Sequence, residues 1–174
     1  MALAICLLFD TRSERLVREL WGRLETVGVR TLASHTHGRH LPHLSYAVLR
    51  GGEPPEALAA LAGLPDGPSV ELGCRGAVVF PRGRVALAVA VSAALAERQA
   101  RVVAALKAAG LELHRHYEPG AWVPHVSVAT RATGTQLPVV VTEVSDALPL
   151  DLVADRVAIV DSTTGQTWPL PGLP

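Results

Sequence analysis

An α+β fold, with concave antiparallel sheets covered on their outer side by helices, is predicted by three features of this 174-residue chain. Strand-like and helix-like segments alternate along its length. The alternation occurs twice in the same order. A tetrapeptide, Pro-His-x-Ser, marks the same place in each copy, as Pro42-His43-Leu44-Ser45 and Pro124-His125-Val126-Ser127. The two histidines lie 82 residues apart (125 − 43), as do Gly28 and Gly110 (110 − 28), each of which ends a helical pattern.

The first strand is predicted over residues 2–7, which match 86–91 in composition. A helix follows, opened by the capping box Thr11-x-x-Glu14, with Leu16, Leu20, Leu24 and Val27 on one face and a stop at Gly28. Its counterpart carries Leu95, Val102, Val103, Leu106 and Ala109 and stops at Gly110. Short strands are predicted next, over 29–33 and 111–115, then loops containing Gly38 and Gly120, then the motif strands. Residues 56–62 and 137–147 read as the second helix of each copy, although Val139-Val140-Val141 has β-branched character. Each copy closes in strands, over 70–80 and 152–160. A turn at Thr164-Gly165 then leads to a last strand near 166–170. Pro81-Arg82-Gly83 reads as a hairpin turn joining pseudo-repeats 1–83 and 84–174 of one domain.

Composition narrows the function. Hydrophobic residues make up 49% of the chain, and 16 basic side chains balance 16 acidic ones. A substantial core is therefore available. There is no overall charge to attract a long nucleic acid or an anionic membrane, so a nucleic-acid ligand should be short or gripped locally. The apolar start, 1–9, has no basic leader and is too short to span a bilayer. The expectation is a cytoplasmic protein with no membrane role. Cys6 and Cys74 lie in apolar, strand-like settings and are expected to pack as free thiols.

The motif spacing has a chemical reading. Residues two apart on a strand share a face, so each His sits beside its Ser while Leu44 or Val126 points into a core. Two such pairs can supply one acid, one base and two phosphate-binding hydroxyls to a single cleft. The bland alternative is a pair of satisfied histidines at strand starts after turn-forming prolines.

These motifs, with Trp122-Val123-Pro124 leading into the second and the duplicated layout, resemble the two-histidine (2H) phosphoesterase superfamily. Its members include 2′-5′ RNA ligase-like proteins and cyclic nucleotide phosphodiesterases. The resemblance implies a bilobal duplicated fold around a central cleft, with catalytic roles for His43, Ser45, His125 and Ser127. It implies RNA-processing chemistry: opening a 2′,3′-cyclic phosphate, or cleaving or joining a 2′-5′ phosphodiester, at a nucleotide or RNA end. In that chemistry a neutral imidazole activates water, a protonated one assists the departing ribose oxygen, and both hydroxyls donate to non-bridging oxygens. The scheme needs no metal and no cofactor. The alternative from another class is a non-catalytic nucleotide- or RNA-binding relative.

Other residues near the motifs are candidates for substrate binding. Arg39, Arg50, Arg115 and Arg131 flank the motifs and can grip phosphate, and Tyr117 can stack on a base. Trp122 and Tyr46 have the opposite strand parity to the motif histidines and read as core. His35-Thr36-His37 and His114-Arg115-His116 have a spacing able to present two imidazoles to zinc, the basis of a less favoured metal-dependent alternative. The favoured reading of these four and of His40 is as rim residues beside the cleft. No Gly-x-x-x-x-Gly-Lys-(Ser/Thr) loop, no Gly-x-Gly-x-x-Gly and no Gly-x-Ser-x-Gly occurs, and Lys107 is the only lysine. An ATP-consuming ligase that adenylates a lysine is thereby disfavoured, and a monomer is expected.

Overall fold

The computed structural model describes residues 3–172. Seven strands and four helices follow the order β1 (Leu3–Phe9), α1 (Thr11–Thr26), β2 (His43–Val48), α2 (Pro54–Leu61), β3 (Val70–Phe80), β4 (Arg84–Val89), α3 (Ala93–Ala108), β5 (His125–Ala129), α4 (Gln136–Ala147), β6 (Leu150–Asp161) and β7 (Thr167–Pro169). Ala2, included in the first predicted strand, lies outside the described residues.

All strand pairs are antiparallel, in the order β1-β2-β5-β4-β3-β6-β7, and a further β1–β6 pairing closes six of them into a ring. The expected concave surface is therefore one continuous closed sheet. β3 and β6 make this possible by their length. The first half of β3 pairs with β6 and its second half with β4, while β6 passes from β3 to β1 at Ala154. Exchanging β1 with β4, β2 with β5 and β3 with β6 leaves the set of ring pairings unchanged.

One face of the sheet is packed by the helices. Leu7, Leu44, Val126, Leu87 and Leu72 meet Val17, Leu20, Trp21 and Leu24 of α1, Val102 and Leu106 of α3, and Val140 and Val144 of α4, all nearly inaccessible to water. Burying a Leu-sized side chain contributes roughly 1.5–3 kcal/mol, which orients every strand with this face inward. Tyr46 is fully buried, as its parity predicts. The motif strand β2 thus has alternate residues committed to the core, and the residues between them face the concave side.

Several local expectations shift. The N-cap of α1 is Asp10, whose carboxylate accepts from the Ser13 amide at 2.7 Å, so Thr11 is the first helical residue. The buried stripe of α1 is rotated toward Val17 and Trp21. Val27 remains 48% exposed because the helix has ended before it. Gly28 and Gly110, at φ 78° each, turn the chain away after α1 and α3 in the left-handed conformation that glycine tolerates.

Segments 29–33 and 111–115 are not strands. Val29 and Leu113 are buried anchors, but β1 and β5 already occupy both edges of β2. Only an isolated bridge, Leu49 to Leu113, forms beyond its end. The helix 136–147 forms despite its three valines. Cys6 and Cys74 are free and buried, with thiols pushed up to about 12 and about 11 by desolvation, which makes them poor nucleophiles. Among the described residues no helix is long and apolar enough to cross a membrane.

Candidate active site

The site is assembled where β2 and β5 meet. Leu44 pairs with Val126, and both are buried in the core, so the antiparallel register puts His43 opposite Ser127 and Ser45 opposite His125 on the concave face. The two imidazoles occupy one diagonal of this square and the two hydroxyls the other. Strand geometry sets diagonal neighbours about 7–8 Å apart.

Neighbouring strands extend the square into two rungs across the sheet. One runs Ala158, Cys6, Ser45, His125, Ala88; the other runs Leu8, His43, Ser127, Ala86. Ala86 and Ala88 flank the polar quartet on the β4 side, and Cys6 and Leu8 flank it on the β1 side. Ala4, Cys6, Leu8 and Ala158 form a small apolar floor of their own on this face.

Both imidazoles are held in the same way. His43 Nδ1–H donates to the Leu41 carbonyl and His125 Nδ1–H to the Val123 carbonyl, each at 2.7 Å and each two residues back along the chain. Because a carbonyl can only accept, the proton is fixed on Nδ1, and Nε2 is left as the exchangeable site. Burial lowers the pKa of both histidines below the ordinary value. The backbone bonds oppose that shift, while His125 adds repulsion at His43 and Arg84 adds it at His125.

The hydroxyls and strand backbones are also positioned. Ser45 Oγ lies 3.5 Å from Cys6 Sγ, and the nearby Tyr117 phenol has its pKa pushed up to about 12, chiefly by burial. Tyr117 belongs to a 3-10 turn, Arg115–Tyr117, preceding β5. Two indoles pin the motif strands. Trp21 Nε1–H donates to the Ser127 carbonyl and Trp122 Nε1–H to the Ser45 carbonyl, both at 3.0 Å. Trp21 lies wholly in the core, whereas Trp122 is half-buried.

A cleft of about 980 Å³ opens beside His125 and Ser127. Its wall includes Tyr117 and Arg115, together with Phe80, Arg82 and Arg84 from the β3–β4 hairpin. Phe80 lies against His125, with ring centroids 4.7 Å apart. His43 and Ser45, half-buried, lie one strand further and do not line this cleft. Arg39 and Arg131 are also outside its wall. The Arg39 guanidinium donates instead to the Thr164 carbonyl at 3.0 Å. Phe80, Arg82 and Arg84 carry no sequence signal, since only the strand order β4-β5 brings their hairpin to the second motif.

The remaining histidines divide. His114 and His116 lie side by side on the cleft wall, with ring centroids 4.9 Å apart and the rings tilted by 34°. His35, His37 and His40 cluster in the loop before β2. His37 and His40 are 4.1 Å apart, His40 Nε2 lies 2.8 Å from the Thr36 hydroxyl, and His40 is 7% exposed, more buried than a rim position. Among the described residues no group of three or more His, Cys, Asp or Glu side chains converges on a point that would hold a metal.

Known proteins share this architecture. TT0787 of Thermus thermophilus superposes with a TM-score of 0.64 at 17% identity, covering 99% of both chains. E. coli LigT complexed with 3′-AMP gives 0.60 at 15% identity, over 97% of this chain and 96% of that one. Kluyveromyces marxianus Usb1 with uridine monophosphate gives 0.54 at 14%, over 98% and 97%. No curated protein matches the sequence significantly. The sequence model of the 2′-5′ RNA ligase superfamily matches residues 11–166, a span that contains both His-x-Ser strands, and the chain belongs to that superfamily of 2H phosphoesterases.

Proposed function

We propose that the protein opens a 2′,3′-cyclic phosphate, or cleaves a 2′-5′ phosphodiester, at a nucleotide or RNA end by acid–base catalysis between His43 and His125. The observation that carries this reading is the diagonal quartet: two Nε2 atoms and two hydroxyls on one concave face, with each imidazole fixed by the same Nδ1–H bond. A phosphorus seated at the centre of the square meets one imidazole on the side of the attacking water and the other on the side of the departing ribose oxygen. The neutral imidazole accepts the proton of the water, and the protonated one donates to the leaving oxygen. Ser45 and Ser127 donate to the non-bridging oxygens. Ligation puts the 5′-hydroxyl of a second RNA end in place of the water: its oxygen bonds to the phosphorus of the cyclic phosphate as its proton passes to the neutral imidazole, and the P–O3′ bond breaks as the protonated imidazole donates to that oxygen, leaving a 2′-5′ linkage. Solved relatives support a nucleotide ligand, because LigT is described with NADP+, 3′-AMP and ATP, and Usb1 with uridine monophosphate.

Hydrolysis of 2′,3′-cyclic mononucleotides and of oligonucleotides ending in a cyclic phosphate, with EDTA present, tests the reading. Turnover should persist in the chelator and fall by about 10²–10⁴-fold in His43→Ala and in His125→Ala. Chelator-sensitive turnover, or full activity in either variant, would overturn the two-histidine mechanism. A parent that binds nucleotides and turns over none of these substrates, nor a 2′-5′ linkage, is instead a binding protein.

A further inference from the structure

We infer that the cleft beside His125 holds a second phosphate, distinct from the one undergoing reaction, so that the preferred substrate carries at least two phosphate groups. The inference rests on the reading above for the location of the reacting phosphate. Arg50, Arg82, Arg84, Arg115, His114 and His116 line the cleft, and neither Asp nor Glu does. This concentration occurs in a chain whose charges sum to zero. Outside the cleft, among the described residues, Arg15, Arg18, Arg23, Arg75, Arg156 and Lys107 form ion pairs with carboxylates while Arg12, Arg30, Arg39, Arg101 and Arg131 form none, so the cleft is set apart by how many arginines it gathers without a carboxylate. Among the described residues none of the four cleft arginines has such a partner.

The four arginines come from three separate places, so their convergence is a property of the fold. Arg50 follows β2 and is held by its amide, which donates to the Glu112 carbonyl at 2.9 Å. Arg115 opens the 3-10 turn before β5, and Arg82 and Arg84 belong to the β3–β4 hairpin. Their fields overlap, since Arg115, Arg50 and Arg84 all lower the pKa of His114 after burial and His116. Like charges gathered without counterions raise the free energy of the unliganded protein, and a bound polyanion removes that cost.

The hairpin is also held in a strained form that places Arg82. Arg82 has φ 67°, in the left-handed region a side chain rarely adopts, and Gly83 has φ 71°. Gly83 and Ala132 lock the turn in place, with the Ala132 amide donating to the Gly83 carbonyl at 2.7 Å. Arg84 opens β4 two residues before Ala86, which pairs with Ser127. The arginine site therefore adjoins the reacting centre along the strand direction, at a separation suited to successive phosphates of a nucleic-acid strand or to the 5′-phosphate of the reacting nucleotide.

Three substrates separate these sources: a 2′,3′-cyclic mononucleotide, the same molecule with a 5′-phosphate, and a dinucleotide ending in the cyclic phosphate. The parent should show kcat/KM roughly ten-fold or more higher for one of the two-phosphate substrates, and whichever gains identifies the second phosphate. Arg50→Ala and Arg82→Gly, the latter relieving the backbone strain, should each reduce that preference several-fold. Equal kcat/KM for all three substrates would overturn the second site and leave the phosphoesterase reading standing. If the parent turns over none of them, calorimetry with adenosine 3′,5′-bisphosphate against adenosine 5′-monophosphate decides. Tighter bisphosphate binding that is lost in Arg82→Gly supports the site without catalysis, and equal binding overturns it.

Discussion

His43 and His125 begin with the same side-chain chemistry and end with different surroundings, and the difference is measurable. Burial lowers both pKa values below about 6.5, so the form with one neutral and one protonated imidazole is most populated on the acid side of that value. The pH profile of kcat/KM should be a bell with its maximum below about 6.5. Arg84 contributes to the lowering at His125, so Arg84→Ala should move one limb toward higher pH, and a profile unmoved by the substitution would remove Arg84 from the electrostatics of the site. His40 responds to pH through stability. Its pKa is lowered to about 4, chiefly by burial, with His37, His35 and His43 adding repulsion. The unfolded chain therefore takes up a proton near about pH 6.5 that the folded chain refuses until about pH 4. Stability should fall as pH drops through that window, by on the order of 2–3 kcal/mol. Urea midpoints at pH 7 and pH 5 should draw together in His40→Gln. At this scale the sequence is most legible where chemistry and periodicity coincide. The quartet is readable because His-x-Ser on a strand can point only one way once Leu44 and Val126 are buried. Arg82, Arg84 and Phe80 are unreadable because nothing local ties them to a motif so far along the chain.

Element boundaries show where local rules yield to pairing. The predicted strand over 70–80 forms at that extent, and the valine-rich helix 136–147 forms because Val140 and Val144 find the core. The predicted strands over 29–33 and 111–115 fail for want of a free edge, which composition cannot reveal. Asp10 displaces Thr11 as cap of α1 because its carboxylate reaches the Ser13 amide. The indole pins act at this scale. Trp21→Phe leaves the Ser127 carbonyl unpaired in the core, at a cost of about 1–3 kcal/mol in urea unfolding. Trp122→Phe should cost less because water can replace its half-buried donor, and a larger loss there than at Trp21 would contradict this account of the pins. The β3–β4 hairpin is more demanding. A Cβ at Gly83 would lie 2.0 Å from the Ala132 carbonyl oxygen, which is backbone and cannot rotate away. Gly83→Ala should therefore destabilise the protein by about 2–3 kcal/mol, with a matching drop in thermal midpoint.

Across the whole molecule, the repeated order of elements is legible from the 82-residue spacing, whereas closure of the sheet is not, because no local signal says that β6 will return to β1. Closure makes the halves interdependent. Of the ring pairings only β1–β2 and β4–β5 lie within one half; the other four cross between them. A fragment ending at Gly83 should show no cooperative unfolding transition alone and should regain one when mixed with 84–174. Independent folding of either fragment would contradict the ring as the unit of stability. The exchange symmetry of the pairings has a last consequence at the square of His43, Ser45, His125 and Ser127. That square is a palindrome: turned about the Leu44–Val126 pair, it presents the same groups in the same places. A palindrome has no sense of direction, whereas a nucleotide has a 5′ and a 3′ side. Polarity must be imposed by the unlike flanks, with arginines beside one imidazole and a histidine-rich loop beside the other, and it is there that the two halves have diverged.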